Sequence, residues 1–206
     1  AYMPECLDAL SGQSYRDFEL IVVDNCSTDG SLEWLRKNRG DRFWLVENDR
    51  NLGYAGGNNR GFGEARGEWI ALVNNDAVAD RFWLEKMIQA IDSRDSRGTI
   101  GMAASKVLLY DHRDLIDNTG HLAYPDGLNR GRGRLQKDRG QYDEVDEALF
   151  PSGCAGLYRR ELIDRTGGFD ERFFAYGDDA DLGLRGRLLG WRCIFVPEAR
   201  VYHRYS

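Results

Sequence analysis

The sequence predicts an α/β fold in which helices cover both faces of a mostly parallel sheet. Helix-type and strand-type segments alternate in the order α-β-α-β-α-β-α through residues 4–91, and this alternation is typical of parallel strands joined by crossover helices. The strand-type segments are short, apolar and followed by polar residues, as buried parallel strands are. At 206 residues, the chain suits a single domain, residues 1–206, with a regular front half and an irregular back half.

The front half, residues 1–104, carries the regular alternation. Pro4 suits the first turn of the first helix. The last helix places Leu84, Met87 and Ile91 on one face, which is the spacing of an amphipathic helix. The strands are expected at residues 18–24, 43–46 and 69–73, and the helices at residues 4–10, after the polar turn 25–31, after the glycine-rich turn 53–57, and at residues 82–91.

The back half, residues 105–206, has a weaker pattern. Polar and glycine-rich sequence fills residues 111–148 and predicts no clear element. The remaining strands are expected at residues 100–110, 154–158, 191–197 and 199–203, and the remaining helices at residues 161–165 and 182–189.

Composition and charge argue against several classes of protein. A net charge of −6 and a pI of about 5.2 disfavour a nucleic-acid-binding protein, which usually presents a basic face. No apolar run reaches the roughly 18 residues of a membrane span, and the amino terminus lacks the pattern of a signal peptide. The four cysteines, Cys6, Cys26, Cys154 and Cys193, have no metal-binding spacing, so we expect reduced thiols in a reducing compartment.

Polar side chains follow two of the predicted strands. Asp24 and Asn25 end one strand, and Asn74, Asn75 and Asp76 end another. Ligands of open α/β sheets bind beyond the carboxyl ends of the strands, where an aspartate can accept a proton from a nucleobase or ribose, or hold a divalent cation. The alternative is that each turn only caps the next helix, and for either turn taken alone this alternative is favoured.

The stretch FFAYGDDADLGLR, residues 173–185, places three carboxylates behind an aromatic run. Asp181 and Arg185 are four residues apart, so they are expected to pair on one face of a helix. Asp178 and Asp179 then lie at the helix start, where the helix dipole favours anions. Capping explains one of them, and the other is a candidate general base if it projects into a cleft.

Three histidines are present in the chain. His203 ends the last predicted strand. A lone histidine is more often structural or exposed, but a neutral imidazole also completes metal sites of mixed oxygen and nitrogen ligands. His112 and His121 lie in the irregular region, and the sequence assigns them no role.

Five ordered segments resemble those of one family. They read FELIVVDNCSTDGS, NLGYAGGNNRGF, WIALVNNDAV, GGFDERFFAYGDDADLGLR and VYH. Together they are similar to inverting family-2 glycosyltransferases, in particular the bacterial rhamnosyltransferase-like branch, and they extend over nearly the whole chain. The resemblance implies the GT-A nucleotide-diphospho-sugar transferase fold. It also implies sugar transfer from a nucleotide-diphosphate donor to a saccharide or lipid-linked acceptor, in the synthesis of cell-surface polysaccharide.

The resemblance implies that the front half binds the nucleotide-sugar donor. Asp24 and Asn25 would hold the nucleobase, and Asn58 and Asn59 would line the nucleotide. The favoured donor is dTDP-rhamnose, with UDP-linked sugars as the alternative. Asn58 stands where many family members have arginine.

The same resemblance implies a metal site. Asn74, Asn75 and Asp76 occupy the place of the family's DxD motif, so Asp76 would bind Mg²⁺ or Mn²⁺ bridging the donor diphosphate. His203 would complete the metal shell. Asn74 replaces the usual first aspartate, so the site has one carboxylate fewer than is usual.

The back half would bind the acceptor and carry out the reaction. Asp179 matches the second member of the family's Glu-Asp pair, which is the general base. Asp178, Asp181 and Arg185 are placed on the acceptor side, with Asp178 at the acceptor mouth or capping the helix. A basic run at residues 130–139 is read as a solvated flexible loop, or alternatively as a lip for an anionic acceptor.

Two departures from the family pattern are expected to matter. Family members have a strand ahead of the first helix, and this chain begins at the helix. A neighbouring strand should then lack a partner, and the nucleotide pocket should be incomplete. The chain also ends soon after His203, where relatives often continue into helices.

Several readings stay open at this point. The expected location is the cytoplasm, including the cytoplasmic face of a membrane for a peripheral protein. A nucleotidyltransferase is disfavoured because its glycine-rich basic loop is not found, and a non-catalytic saccharide-binding or scaffold domain remains an alternative. The sequence indicates no binding of nucleic acid and no oligomeric state.

Overall fold

A computed structural model describes residues 2–126 and 128–204. The helices are α1 (Met3–Ser11), α2 (Ser31–Asn38), α3 (Gly53–Glu64), α4 (Trp83–Arg94), α5 (Arg160–Thr166) and α6 (Asp178–Leu188). The strands are β1 (Ile21–Asp24), β2 (Trp44–Glu47), β3 (Trp69–Val73), β4 (Ala77–Ala79), β5 (Ile100–Leu109), β6 (Ile116–Asn118), β7 (His121–Ala123), β8 (Asn129–Gly131), β9 (Ala155–Arg159) and β10 (Arg192–His203). The strands and helices predicted in the front half are confirmed, with ends that shift by a few residues.

The central sheet is mixed rather than mostly parallel. Its strands lie in the order β3-β9-β5-β10-β4, with β6 also paired to β5. Only β5 and β10 pair in parallel among the described strands of this sheet. The expectation of mostly parallel pairing is therefore wrong here. Strand β9 comes from a distant segment and inserts antiparallel between β3 and β5, and β4 follows β3 too closely for the crossover that a parallel arrangement needs.

Strands β1 and β2 form a separate parallel pair. In the ranges described, β1 pairs only with β2, and β3 pairs only with β9. A cavity of about 840 Å³ is lined by residues of both β1 and β3, and by Phe62 and Trp83 from the helices on either side. Both β1 and β3 therefore have one edge without a strand partner among the described residues.

Helices cover both faces of the central sheet, as predicted. Residues of α1 and α4, including Trp83 and Met87, form one core with β5 and β10. Residues of α3, α5 and α6, including Leu162 and Leu182, form a second core against the opposite side chains of the same two strands. Burial on two faces makes β5 and β10 the rigid centre of the molecule, because both sides of each strand are packed.

Helix α3 begins inside the stretch that the sequence predicts as a glycine-rich turn. Gly53 is its first residue and has a φ of +70°. The amides of Tyr54 and Ala55 donate to the carbonyl of Phe174 at 2.6 and 3.3 Å. A Cβ at Gly53 would lie 2.3 Å from that carbonyl oxygen. The glycine therefore permits the segment before α6 to cap α3.

All four cysteines are free thiols, and Cys6, Cys154 and Cys193 are buried. Across residues 2–126 and 128–204, no helix has both the length and the apolar character of a membrane span.

Candidate active site

A short loop, residues 152–154, connects the turn after β3 to the start of α6. The Asn74 amide donates to the carbonyl of Cys154 at 2.9 Å. The Gly153 amide donates to Oδ2 of Asp179 at 3.1 Å, and the Tyr54 hydroxyl donates to the Gly153 carbonyl at 2.6 Å. This loop therefore brings together the polar end of β3, the amino terminus of α3 and the candidate base.

Asp179 is held by backbone amides and remains partly open to solvent. It is the second residue of α6. Its Oδ2 accepts from Gly153, its Oδ1 accepts from the Ala180 amide at 2.8 Å, and its side chain is 20% exposed. Each carboxylate oxygen has a second lone pair. The geometry orients the carboxylate without neutralising it, as a general base requires.

Asp178 occupies a different environment from its neighbour. It is 4% exposed, and its Oδ2 is buried without a hydrogen-bond partner in the described part of the chain. Burial raises the pKa of the Asp178 carboxyl, and the charge of Asp179 adds to this. Backbone hydrogen bonds at the start of α6 lower the pKa of this carboxyl and partly offset its burial. Asp178 therefore lies at the start of α6 as predicted, and its place on the acceptor side stays a prediction.

Asp181 and Arg185 form the predicted pair within α6. Arg185 Nη2 lies 2.6 Å from Asp181 Oδ2. The same guanidinium also donates to the carbonyls of Thr166 and Gly168, each at 2.8 Å. The pair therefore joins α6 to the end of α5, which gives these two acceptor-side candidates a structural role.

The predicted metal ligands Asp76 and His203 meet at the end of β10. His203 Nε2 lies 3.4 Å from Asp76 Oδ1, and both residues are 8% exposed. His203 Nδ1 lies 2.9 Å from Oδ2 of Asp117, and Asp117 also accepts from Arg134 at 2.6 Å. Burial opposes charge on the imidazole, but hydrogen bonds to Asp117, Asp76 and Cys154 outweigh it and raise the pKa of His203 to about 12.

These donors fit part of a divalent-cation site. Asp76 offers a carboxylate oxygen, and His203 would offer Nε2 once a bound metal displaces its proton. Asp117 contacts the other ring nitrogen, as second partners of metal-bound histidines commonly do. Among the described residues, no group of three or more His, Cys, Asp or Glu side chains is arranged to hold a metal. A cation bound here would therefore need ligands beyond the described side chains, such as diphosphate oxygens or water.

The donor-side turn after β1 is braced by its own polar side chains. Asp24 is buried, and its Oδ2 accepts from the Ser27 amide at 3.0 Å. The Asn25 amide group donates to Gly53 and accepts from the amide of Leu52. The Asn25 side chain also donates to Oδ1 of Asn51 and accepts from the NH₂ group of Asn48. Its side-chain amide is thus hydrogen-bonded within the turn, and its contact with a nucleobase stays a prediction.

The two asparagines of α3 also have partners within the protein. Asn58 donates to the carbonyl of Tyr54 at 2.9 Å and lines the cavity between β1 and β3. Asn59 donates to the Phe169 carbonyl and to Glu171, and accepts from the Phe169 amide. Asn59 therefore connects α3 to the segment before α6, and its contact with the nucleotide stays a prediction.

The polar segment at β6 and β7 supplies functional candidates that the sequence does not reveal. Asp117 lies against His203. Asn118 contacts His121 at 2.9 Å, and His121 Nε2 lies 4.0 Å from Asp179 Oδ2. In the sequence, these residues are marked only by the cluster of polar residues at positions 117–121. The cluster lies in a region without helical or strand periodicity, so by itself it does not indicate a functional site.

The basic run at residues 130–139 is anchored in the structure. Arg132 is buried and donates to the carbonyls of Thr119 and Glu147. Arg130 pairs with Asp126. Further ion pairs in this run join Arg134 to Asp117, Lys137 to Asp114 and Asp138 to Lys106. Arg132 and Arg134 hold the run against β6 and its neighbours, whereas most of its cations are exposed, as the prediction of a solvated loop expects.

Comparison with known proteins identifies relatives of the chain. A family model described as "Glycosyl transferase family 2" matches residues 1–167. The chain is 29% identical over 208 residues to the O-antigen biosynthesis protein RfbC of Myxococcus xanthus, covering 97% of this chain and 16% of that protein. It is 26% identical over 232 residues to the N-acetylglucosaminyl-diphospho-decaprenol L-rhamnosyltransferase of Mycobacterium tuberculosis, covering 98% and 71%.

The fold is similar to that of solved transferases. One is the mannosyltransferase PcManGT from Pyrobaculum calidifontis in complex with GDP-Man and Mn²⁺, at a TM-score of 0.70 and 21% identity, covering 100% of this chain and 53% of that chain. This likeness shows the fold, which is the expected GT-A fold. The chain spans 22% and 16% of the length of the first two curated relatives that it matches.

Proposed function

The chain belongs to glycosyl transferase family 2, and on that premise we propose that it is an inverting transferase for cell-surface polysaccharide synthesis. It moves a sugar from a nucleotide-diphosphate donor to a saccharide or lipid-linked acceptor. The observation that carries this proposal is the placement of Asp179, a partly exposed carboxylate fixed by the Gly153 and Ala180 amides.

In this proposal Asp179 is the general base. A sugar hydroxyl is a poor nucleophile, and a positioned carboxylate can take its proton as the hydroxyl oxygen attacks the anomeric carbon. Such help is worth about 10²–10⁴-fold in rate. The bond between the anomeric carbon and the leaving phosphate breaks on the opposite face, so the sugar's configuration is inverted.

Asp76 and His203 would hold Mg²⁺ or Mn²⁺ in the working enzyme. A divalent cation supplies Lewis-acid stabilisation to the negative charge that gathers on a departing diphosphate. The mannosyltransferase of similar fold was solved with Mn²⁺. Asp117 orients the His203 ring through Nδ1, so that Nε2 faces Asp76.

The favoured donor is dTDP-rhamnose, with UDP-linked sugars as the alternative. A relative named as an L-rhamnosyltransferase acting on a diphospho-decaprenol-linked sugar supports a rhamnosyl donor and a lipid-linked acceptor. We place the protein in the cytoplasm or at the cytoplasmic face of the membrane, where such donors and acceptors meet.

A donor panel tests the proposal. The full-length protein is incubated with dTDP-rhamnose, UDP-glucose, UDP-N-acetylglucosamine and GDP-mannose, with and without Mn²⁺. We expect metal-dependent binding and turnover of one donor, with dTDP-rhamnose first. Binding of none of the four would contradict the proposal and favour a non-catalytic saccharide-binding or scaffold domain.

A further inference from the structure

His121 lies beside the candidate base and has no part in the mechanism described above. Its Nε2 is 4.0 Å from Oδ2 of Asp179. The ring stacks on Phe150, with centroids 5.1 Å apart and planes 13° from parallel. The backbone amide of His121 donates to the carbonyl of Phe150, and the amide of Leu149 donates to the carbonyl of His121. The strand and the stacking together fix the position of the imidazole.

The hydrogen bonds around Asn118 determine which ring nitrogen carries a proton. The Gly120 amide donates to Oδ1 of Asn118 at 2.6 Å, so the NH₂ group of Asn118 faces His121 Nε2, at 2.9 Å. An amide NH₂ can only donate, and Nε2 must therefore be an unprotonated acceptor. The neutral ring then carries its proton on Nδ1.

This arrangement has an energetic cost. His121 Nδ1 is buried and has no hydrogen-bond partner among the described residues. Leaving a buried donor unpaired costs a protein part of its stability, and such a group calls for an explanation. The arrangement keeps a lone pair, rather than an N–H, on the side of the ring that faces Asp179.

We propose that His121 is a positioning residue that strengthens Asp179 as a base by accepting a hydrogen bond from its protonated carboxyl. The inference rests on the proposed function. The acceptor hydroxyl loses its proton to Asp179 as its oxygen bonds to the anomeric carbon, and the diphosphate leaves with the electron pair of the broken bond. The new O–H of Asp179 then donates to Nε2. Because Nε2 has one lone pair, this donor replaces the Asn118 amide.

The distance and the charges around the ring suit this role. A gap of 4.0 Å is too long for a hydrogen bond in the resting state and closes by about 1 Å when the carboxyl becomes a donor. Burial lowers the pKa of His121, although the charges of Asp179 and Asp117 oppose this, so the ring is neutral at neutral pH. The other titratable groups around Asp179 are Asp178, Tyr54 and Tyr158, whose pKa values are all raised, chiefly by burial.

The first test is the pH profile of dTDP-rhamnose turnover in His121→Phe. Phenylalanine keeps the stacking on Phe150 and removes the lone pair. We expect the acid limb of kcat to move to lower pH by about one unit, which is the shift that the loss of one hydrogen bond produces in an apparent pKa. We expect kcat at neutral pH to fall roughly threefold to tenfold. Donor KM should not change. A uniform fall in kcat, with the acid limb unmoved, would mean that the residue is merely structural and would overturn the proposal.

A second measurement needs no variant of His121. The ¹⁵N shifts of its side chain report which nitrogen is protonated, and with only three histidines in the chain, His112→Gln and His203→Gln suffice for assignment. We expect Nδ1 to be protonated and Nε2 to be unprotonated at neutral pH. A protonated Nε2 would overturn the inference even if His121→Phe does not fold.

The two proposals fail in different ways. If Asp179→Asn turns over donor at the wild-type rate, the assignment of the base fails, and the role of His121 fails with it. If Asp179→Asn is inactive while His121→Phe retains the wild-type pH profile, only the role of His121 is lost.

Discussion

The two acidic centres of the proposed site, a base end at Asp179 and a metal end at Asp76 and His203, are stabilised in different ways. At the base end, Asp179 is held by the backbone amides of Gly153 and Ala180 and faces a neutral imidazole. At the metal end, Asp76 and Asp117 surround His203, whose pKa is raised to about 12 by its hydrogen bonds. One centre orients a carboxylate without adding a cation, and the other concentrates carboxylates around a positive group.

This difference separates two kinds of chemistry. A base must keep its affinity for a proton, and a neighbouring full positive charge would lower that affinity. A protonated imidazole between two carboxylates is instead suited to exchange its Nε2 proton for a metal ion, because metal binding releases protons from the ligands. The contrast predicts that substitutions at the two ends affect different steps.

The largest effect is expected at the base end. Asp179→Asn keeps the size of the side chain and one of its two accepted backbone hydrogen bonds, but it cannot take a proton. We expect kcat to fall by about 10²–10⁴-fold, with nucleotide affinity nearly unchanged. The measurement is donor turnover alongside nucleotide binding by calorimetry.

Asp164→Asn is the matched control for that experiment. Asp164 is an exposed carboxylate in α5, and its loss should leave both quantities unchanged. If Asp179→Asn weakened nucleotide binding as much as turnover, Asp179 would be structural, and the contrast between the two ends would be lost.

The next effect concerns the segment that caps α3 beside the base. Gly53→Ala places a Cβ 2.3 Å from the Phe174 carbonyl oxygen at a φ of +70°. We expect the free energy of unfolding to fall by about 2–4 kcal/mol. Gly63→Ala in the same helix meets nothing within 4 Å and should raise it by about 0.5–1 kcal/mol. Denaturant unfolding of the two variants measures the difference, and equal values would contradict this account of α3.

The fold was more predictable from sequence than the site, and particular residues show why. Asp76, Asp179 and His203 lie at the ends of periodic elements, so strand and helix patterns together with the family resemblance point to them. Asp117 and His121 belong to short strands in a region with no period. Their partners are 86 and 58 positions away along the chain. Only the sheet, in which β6 pairs with β5, brings such distant residues together.

A smaller effect is expected at the metal end. Asp117→Asn retains a side chain of the same shape but weakens the hydrogen bond to His203 Nδ1, which lies 2.9 Å from Asp117 Oδ2. We expect Mn²⁺ affinity, measured as the Mn²⁺ dependence of nucleotide binding, to fall about 10- to 100-fold. Asp114→Asn, in the exposed pair with Lys137, is the control. An unchanged Mn²⁺ dependence would mean that Asp117 has no part in metal binding.

The smallest effect tests the neutral imidazole at the base end through stability. An unfolded histidine takes up its proton near pH 6.5, whereas burial lowers the pKa of His121 in the folded protein. As pH falls below about 6.5, the unfolded state therefore binds more protons than the folded state, and this term reduces the free energy of unfolding. The loss cannot exceed about 1.4 kcal/mol per pH unit for one group. His121→Phe lacks this term, so urea unfolding at pH 7.5 and pH 5.5 should show a smaller loss of stability on acidification in the variant than in the wild type. An equal or larger loss in the variant would mean that His121 is already charged in the folded protein, and the two acidic centres would no longer differ in kind.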